Sequence, residues 1–384
     1  MISSVTNSAL FGATASTTTP KKNLDKDAFM TLLITQLKNQ DPMNPSDSSQ
    51  LAAQLAQFTS VEQLTQLNDA VTSQELSLRE ATLLSKTSLS AALIGRRVVA
   101  APYVPCGACH FCLHRQPTLC QHLFDQGLDP GGLAERVRIP RPMAERGLFP
   151  VPEALPSDIA ALAEPAACCV QAAEACGISA GDTVLVVGDG PMGLMNAAVA
   201  RAYGALQIII AGLTPSRLEL AAAHYADVVV NVEHKDLAQK VRSLTDGRGA
   251  DVVLVAVPTA EAALSGLSAL RRGGAFNAFA GTAEGTTIPL DLRRLHYDEW
   301  RITGSFGAAP QHLQRSLDLL SSGQIDVGPL ITGRFPFAEA PAAVEHMARQ
   351  VGMKAVVMFE SDPASPVKST GRSTESAGRS SRQG

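Results

Sequence analysis

The chain has 384 residues, a formal net charge of −4 and 18% charged side chains. That length suits two or three domains, and the near-neutral charge gives neither nucleic acid nor an anionic membrane surface an electrostatic handle. No apolar run reaches the roughly 20 residues a membrane span requires, and no basic segment followed by an apolar core marks a cleaved secretory signal.

Composition changes sharply near residue 100. Residues 1–100 hold no Cys, His, Tyr or Trp, and only Gly12 and Gly95 of the 30 glycines. All seven cysteines fall between Cys106 and Cys176. A step of this kind reads as two unrelated pieces in one chain. Four of the cysteines are spaced for a metal rather than for disulfides, which suits a reducing, cytoplasmic compartment.

Residues 1–22 are rich in Ser, Thr, Asn and Ala without any period, and are expected to be disordered. From Asp25 the pattern turns helical: Phe29, Leu32, Leu33 and Leu37 define one apolar stripe. Asp41-Pro42 and Asn44-Pro45 end it, because a proline disfavours helix in the residue before it. Ser46 or Asp47 caps a second helix, whose stripe runs through Leu51, Leu55, Phe58, Val61, Glu62, Leu64 and Leu67. A third, weaker helix runs from Ser73 to about Ser90. Two or three such helices bury little core on their own, so a helical hairpin or a partner-dependent coiled segment is one reading. The residues themselves carry a second. Gln36-Leu37-Lys38-Asn39-Gln40-Asp41-Pro42, Pro45, Asp47 and the Ala-Gln-Leu-Ala-Gln-Phe run at 53–58 resemble the N-terminal region of the flagellar hook-capping (basal-body rod modification) family. The resemblance covers 23–97, with Ala92-Leu93-Ile94-Gly95-Arg96 at its end. It implies a scaffold for hook assembly, hook and rod proteins as partners, and export or association with the flagellum. The family's usual C-terminal β-rich domains are missing.

The second piece opens with Cys106, Cys109, Cys112 and Cys120, a C-x2-C-x2-C-x7-C array. Four thiolates on one short loop suit a closed tetrahedral zinc site of structural type, with no position left for water. The alternative is four unrelated loop cysteines. His110, His114 and His122 lie nearby and read as surface residues. Gly131-Gly132-Leu133-Ala134-Glu135, with Arg136–Ile139, reads as a turn into a strand. Leu162-Ala163-Glu164-Pro165 opens an Ala-rich helix in which Cys168, Cys169 and Cys176 read as small core residues.

Thr183–Val187 is an apolar, β-branched run followed by Gly188-Asp189-Gly190-Pro191-Met192-Gly193 and then a helical pattern. Strand, glycine turn and helix in that order form the context of a dinucleotide-binding fingerprint. Gly188 makes the turn, Gly190 lets a pyrophosphate approach, and Gly193 lets helix and strand pack closely. Pro191 and Met192 complete the candidate cofactor-binding turn, and the helix N-terminus faces the phosphates. Further strands are expected at 207–211, 227–231, 251–257, 275–280, 302–305 and 354–359. Helices are expected at 216–224, 235–244, 261–270 and 310–321. This alternation predicts an α/β fold with a doubly wound, Rossmann-type parallel sheet. After Glu360 the chain is rich in Ser, Gly, Arg and Pro and is expected to be disordered.

Residues 97–360 resemble the zinc-containing medium-chain dehydrogenase superfamily, on its sorbitol and polyol side. The cysteine lobe, GGLAERV, Ala163-Glu164-Pro165, GISAGDTVLVVGDGPMGL and DEWRITGSFG carry the likeness. It implies structural zinc, NAD or NADP, and alcohol or polyol oxidation. It also implies cofactor-lining roles for Val257, Gly281 and Ser305. The family's catalytic zinc is held by a Cys in a CGxD-like motif and a His-Glu pair in a GHE-like motif, and the sequence holds neither. Glu164 alone matches a family position at that metal; an acid at a helix start, favoured by the dipole, explains it as well. At the end of the second strand Gly212 stands where an NAD-type acid belongs, and Arg217 is placed to meet a 2′-phosphate, which tilts the reading towards NADP.

The sequence thus reads as a fusion: 1–22 disordered; 23–97 a helical hook-scaffold-like module; 98–165 a truncated barrel remnant with the zinc lobe; 166–330 the dinucleotide domain; 331–360 a return segment; and 361–384 a tail. The implied function is a hook scaffold joined to a zinc- and dinucleotide-binding region without a full catalytic zinc site. The alternative is an active polyol dehydrogenase. A homo-oligomer is compatible with either.

Overall fold

The computed structural model describes residues 93–233 and 236–359, which lie in one unit, Leu83–Gly384. The expected helices of residues 25–90 and the expected disorder of both ends fall outside the described residues.

The chain enters at β1 (Val98–Ala100), passes through the cysteine loop with one helical turn, α1 (His110–Leu113), and reaches α2 (Arg141–Arg146) and β2 (Leu148–Pro150). β1 and β2 pair antiparallel as an isolated two-stranded sheet. Two helices follow, α3 (Ser157–Ala160) and α4 (Ala163–Cys176). Then strands and helices alternate: β3 (Thr183–Val187), α5 (Pro191–Ala202), β4 (Gln207–Gly212), α6 (Pro215–His224), β5 (Val228–Asn231), α7 (Leu237–Ser243) and β6 (Ala250–Val255). Next come α8 (Ala260–Ala269), β7 (Leu270–Ala278), α9 (Leu292–Tyr297), β8 (Arg301–Gly304) and α10 (Pro310–Ser321). The chain returns through β9 (Ile331–Pro336), α11 (Ala340–Ala348) and β10 (Lys354–Met358), with β9 and β10 paired in parallel.

Six strands form one parallel sheet in the order β5-β4-β3-β6-β7-β8. The chain winds outward from β3 in one direction and then from β6 in the other, so the switch point lies between these two strands. β3 and β6 are buried along their whole length, and for that reason they read as continuous apolar runs. Alternate residues feed two cores. Val184, Val186, Ile208, Ile210 and Leu254 join residues of α4, α5 and α10 on one face. Leu185, Ile209, Val253 and Phe276 join residues of α7 and α8 on the other. Cys169 and Cys176 are fully buried as expected of core residues, while Cys168 is only partly buried.

Two elements differ from the sequence reading. Arg136–Ile139 forms no strand; it contributes one bridge, Asp129 to Arg138, reinforced by an ion pair at 2.9 Å. A strand needs a neighbour to hydrogen-bond, and none lies beside this segment among the described residues. The fifth strand of the main sheet begins at Leu270, not at Ala275: it passes through Gly273-Gly274 with a register irregularity against β6. β1-β2 and β9-β10 stand apart from the main sheet as two separate two-stranded sheets.

Candidate functional site

The cysteine lobe is built by turns that aim sulfur inward. Gly107 adopts φ +79°, a left-handed value that suits glycine. This turn lets the Ala108 and Cys109 N–H groups donate to Cys106 Sγ at 3.4 and 3.3 Å. Cys120 Sγ accepts from the N–H groups of Cys106 (3.2 Å) and His122 (3.3 Å). The single turn of α1 brings Cys112 Sγ within 3.5 Å of Cys109 Sγ. Cys106 and Cys112 sulfurs stand 3.9 Å apart, Cys109 and Cys120 sulfurs 3.8 Å, and all four lie within 4.8 Å of one another. A tetrahedron with metal–sulfur bonds of about 2.3 Å has edges of about 3.8 Å, a spacing close to the separations found here, so the four donors suit one zinc ion.

Backbone N–H groups of Cys112 and Gln121 lower the Cys109 thiol to about 6, while burial pushes Cys112 up to about 12. A divalent cation among them would draw the protons off. His110, His114 and His122 are exposed and outside the cluster; His122 Nδ1 meets Asp125 Oδ2 at 2.8 Å. The lobe is anchored to the main body. Tyr103 packs edge-on against Phe124, and its hydroxyl accepts from the Ala308 N–H at 3.2 Å.

The second constellation lies at the carboxyl edge of the parallel sheet. Gly188 follows β3 with φ +128°, and a Cβ there would meet Val257 Cγ2 at 2.8 Å. A Cβ on Gly193 would run into the Gly188 carbonyl, whereas Gly190 has nothing within 4 Å. The three glycines therefore do three different things: one turns, one keeps the backbone open, and one admits close helix packing. Gly190 caps α5 and Pro191 occupies its first position, where a missing N–H costs no hydrogen bond. Val257 follows β6, Gly281 follows β7 and is exposed, and Ser305 follows β8. Ser305 Oγ donates to Asn277 Oδ1 at 3.0 Å, and the fully buried Asn277 donates in turn to Thr303 Oγ1 at 3.0 Å. Because all six strands point the same way, residues up to 117 positions apart in sequence (Gly188 and Ser305, 305 − 188) line one edge.

Arg217 lies in the first turn of α6, and its Nη2 donates to the Gln350 carbonyl at 3.3 Å. Asp189, inside the glycine turn, has a role not foreseen from the sequence. Its Oδ2 accepts from the N–H groups of Leu213 (3.0 Å) and Thr214 (2.7 Å) just past β4.

Glu164 sits in the first turn of α4, where Cys168 Sγ approaches its Oε1 at 3.7 Å. Burial raises the Glu164 carboxyl and pushes the Cys168 thiol up to about 12, which keeps that thiol protonated. Glu164 opens onto a cleft of 1190 Å³ with Arg97, Val98, Leu133, Lys354 and Met358. Among the described residues, Cys106, Cys109, Cys112 and Cys120 form the sole cluster of three or more Cys, His or carboxylate donors close enough to share a metal.

Two known families match this chain. The pattern described as "Zinc-binding dehydrogenase" matches residues 191–322. That described as "Flagellar hook capping protein - N-terminal region" matches residues 3–73. Sorbitol dehydrogenase of Bacillus subtilis (strain 168) is 31% identical over 255 residues, covering 66% of this chain and 70% of that protein. D-arabitol-phosphate dehydrogenase of Enterococcus avium is 31% identical over 274 residues, with 70% and 76% covered. Among solved structures, an alcohol dehydrogenase of Thermus sp. ATN1 is similar with a TM-score of 0.63 at 28% identity, covering 69% of this chain and 78% of that one. A zinc-binding dehydrogenase of Sinorhizobium meliloti 1021, solved bound to NADP, is similar with the same TM-score at 27% identity, covering 69% and 77%. With the glycine turn at the switch point of a parallel sheet and a four-sulfur lobe beside it, the chain belongs to the zinc-binding dehydrogenase family.

Proposed function

We propose that the chain is a chimera whose larger part binds one structural zinc and one nicotinamide dinucleotide but lacks a complete catalytic zinc site. One observation carries this reading: the closed four-sulfur cluster stands without a second metal-donor cluster among the described residues. Cys106, Cys109, Cys112 and Cys120 would hold the structural ion. Gly188, Gly190, Pro191, Met192, Gly193, Val257, Gly281 and Ser305 would line the dinucleotide. Alcohol oxidation in such a site uses a zinc with an open position to polarise the alcohol oxygen while hydride leaves for the nicotinamide. A cation among four thiolates has no open position, and Glu164 alone is one ligand of the three such a site needs. The boundaries follow the sequence reading: 23–97 the scaffold-like module, 98–165 the zinc-lobe remnant, 166–330 the dinucleotide domain and 331–360 the return segment.

The test is a fluorescence titration with NADH and NADPH, followed by a turnover assay across polyols with zinc supplied. Binding without alcohol-dependent NAD(P)H formation is expected. Sustained turnover would overturn the reading in favour of an active polyol dehydrogenase, the alternative that the names of the relatives support. For the N-terminal part we propose hook scaffolding, supported by the match at residues 3–73. Rescue of hook formation in a hook-deficient bacterium tests it, and failure of both rescue and export would sink it.

A further inference from the structure

The end of β4 carries no acid, and Arg217 stands one turn away. Taken alone, this corner favours a 2′-phosphate. The backbone contradicts it. A 2′-phosphate after the second strand is held by N–H groups at a helix start together with a nearby cation. Here the Leu213 and Thr214 N–H groups, at the start of α6, are both taken by Asp189 Oδ2, at 3.0 and 2.7 Å. Asp189 is only 9% exposed. Its side chain lies directly over Gly212: a Cβ at 212 would come within 2.5–2.6 Å of Asp189 Cβ, Cγ and Oδ2. The two residues therefore form one unit. An acid on the strand and an acid on the turn cannot share this space, and the carboxylate reaches the corner from the turn instead.

We infer that Asp189 is the residue that selects the cofactor, for NAD and against NADP; this rests on the dinucleotide reading above. A carboxylate offers about four acceptor positions, of which the two N–H groups fill two, so it retains capacity for a ribose hydroxyl. A 2′-phosphate would instead meet a fixed negative charge at short range, in a partly buried place where screening is weak. It would also find the N–H groups already occupied. Arg217 Nη2 donates to the Gln350 carbonyl at 3.3 Å. The same geometry explains why Gly212 occupies the position where the acid was expected.

The experiment is a fluorescence titration of the full-length, zinc-loaded chain with NADH and with NADPH. The native protein is expected to bind NADH more tightly by about tenfold or more. Asp189→Ser frees both N–H groups and is expected to shrink that ratio by about tenfold, through a gain in NADPH affinity. Asp189→Asn keeps the size and an acceptor for the turn while removing the charge, and is expected to shift the ratio in the same direction. Adding Arg217→Ala to Asp189→Ser should remove the gained NADPH affinity. A native preference for NADPH, or a ratio unmoved in both Asp189 variants, overturns the inference while leaving dinucleotide binding intact. Binding of neither cofactor overturns the dinucleotide reading and this inference together.

Discussion

Glu164 shows what one residue can and cannot do. Its surroundings are a thiol pushed up to about 12, the Lys354 cation and apolar wall. Burial holds its carboxyl above the ordinary value, so the folded chain retains that proton longer than the unfolded chain. The sign follows directly: the stability this group contributes is full at low pH and is lost as pH rises through its folded titration. Glu164→Gln has no proton to lose. The melting temperature of the variant should therefore gain on the native one as pH rises above the ordinary carboxyl value, and level off once the folded carboxyl has ionised. A constant or narrowing gap in paired thermal scans would contradict the buried, proton-retaining carboxyl. The two acids differ in legibility. Glu164 could be read from the sequence because Ala-Glu-Pro is a local motif. Asp189 could not, because its partners at 213 and 214 reach it only when β4 lies beside β3.

At the scale of elements, β3 is fixed at its amino end by an acid from a neighbouring strand. Asp251 Oδ2 accepts from the buried Thr183 N–H at 2.8 Å, and its Oδ1 is paired with Arg271 Nε. Asp251→Ala would leave that N–H without a partner, a loss of about 1–3 kcal/mol. Urea unfolding should show a lower midpoint with an unchanged slope, and an unchanged midpoint would contradict the role. The main strands were legible because strands buried on both faces are largely apolar, and Gly188 and Gly193 each meet a distinct steric demand. The early start of β7 was not, because Gly273-Gly274 reads as a turn, yet here it is carried inside a strand by a register irregularity. The apolar alternation of Arg136–Ile139 was misleading for the opposite reason: the pattern suits a strand, but no strand lies beside it.

On the scale of the whole molecule, the parallel sheet carries its own two cores, whereas β1-β2 and β9-β10 are small separate sheets, with β1 and β10 lining an open cleft. Exposed apolar side chains, among them Leu133, Val344 and Met358, line that cleft. The cysteine lobe does not depend on a complete barrel, because its four ligands come from a single stretch of 15 residues (Cys106–Cys120; 120 − 106 + 1). The composition step near residue 100 reads as two pieces, and the local cysteine spacing pointed to four sulfurs that the fold brings within 4.8 Å of one another. What spacing alone could not give was whether other donors converge elsewhere, since that depends on contacts between distant segments. The decisive measurement is zinc content per chain, by mass spectrometry of the native protein and of Cys112→Ser. One zinc per native chain and none in the variant is the expected result. Two zinc ions per native chain, with one retained in Cys112→Ser and lost on Glu164→Ala, would contradict a lone structural site and restore a catalytic metal.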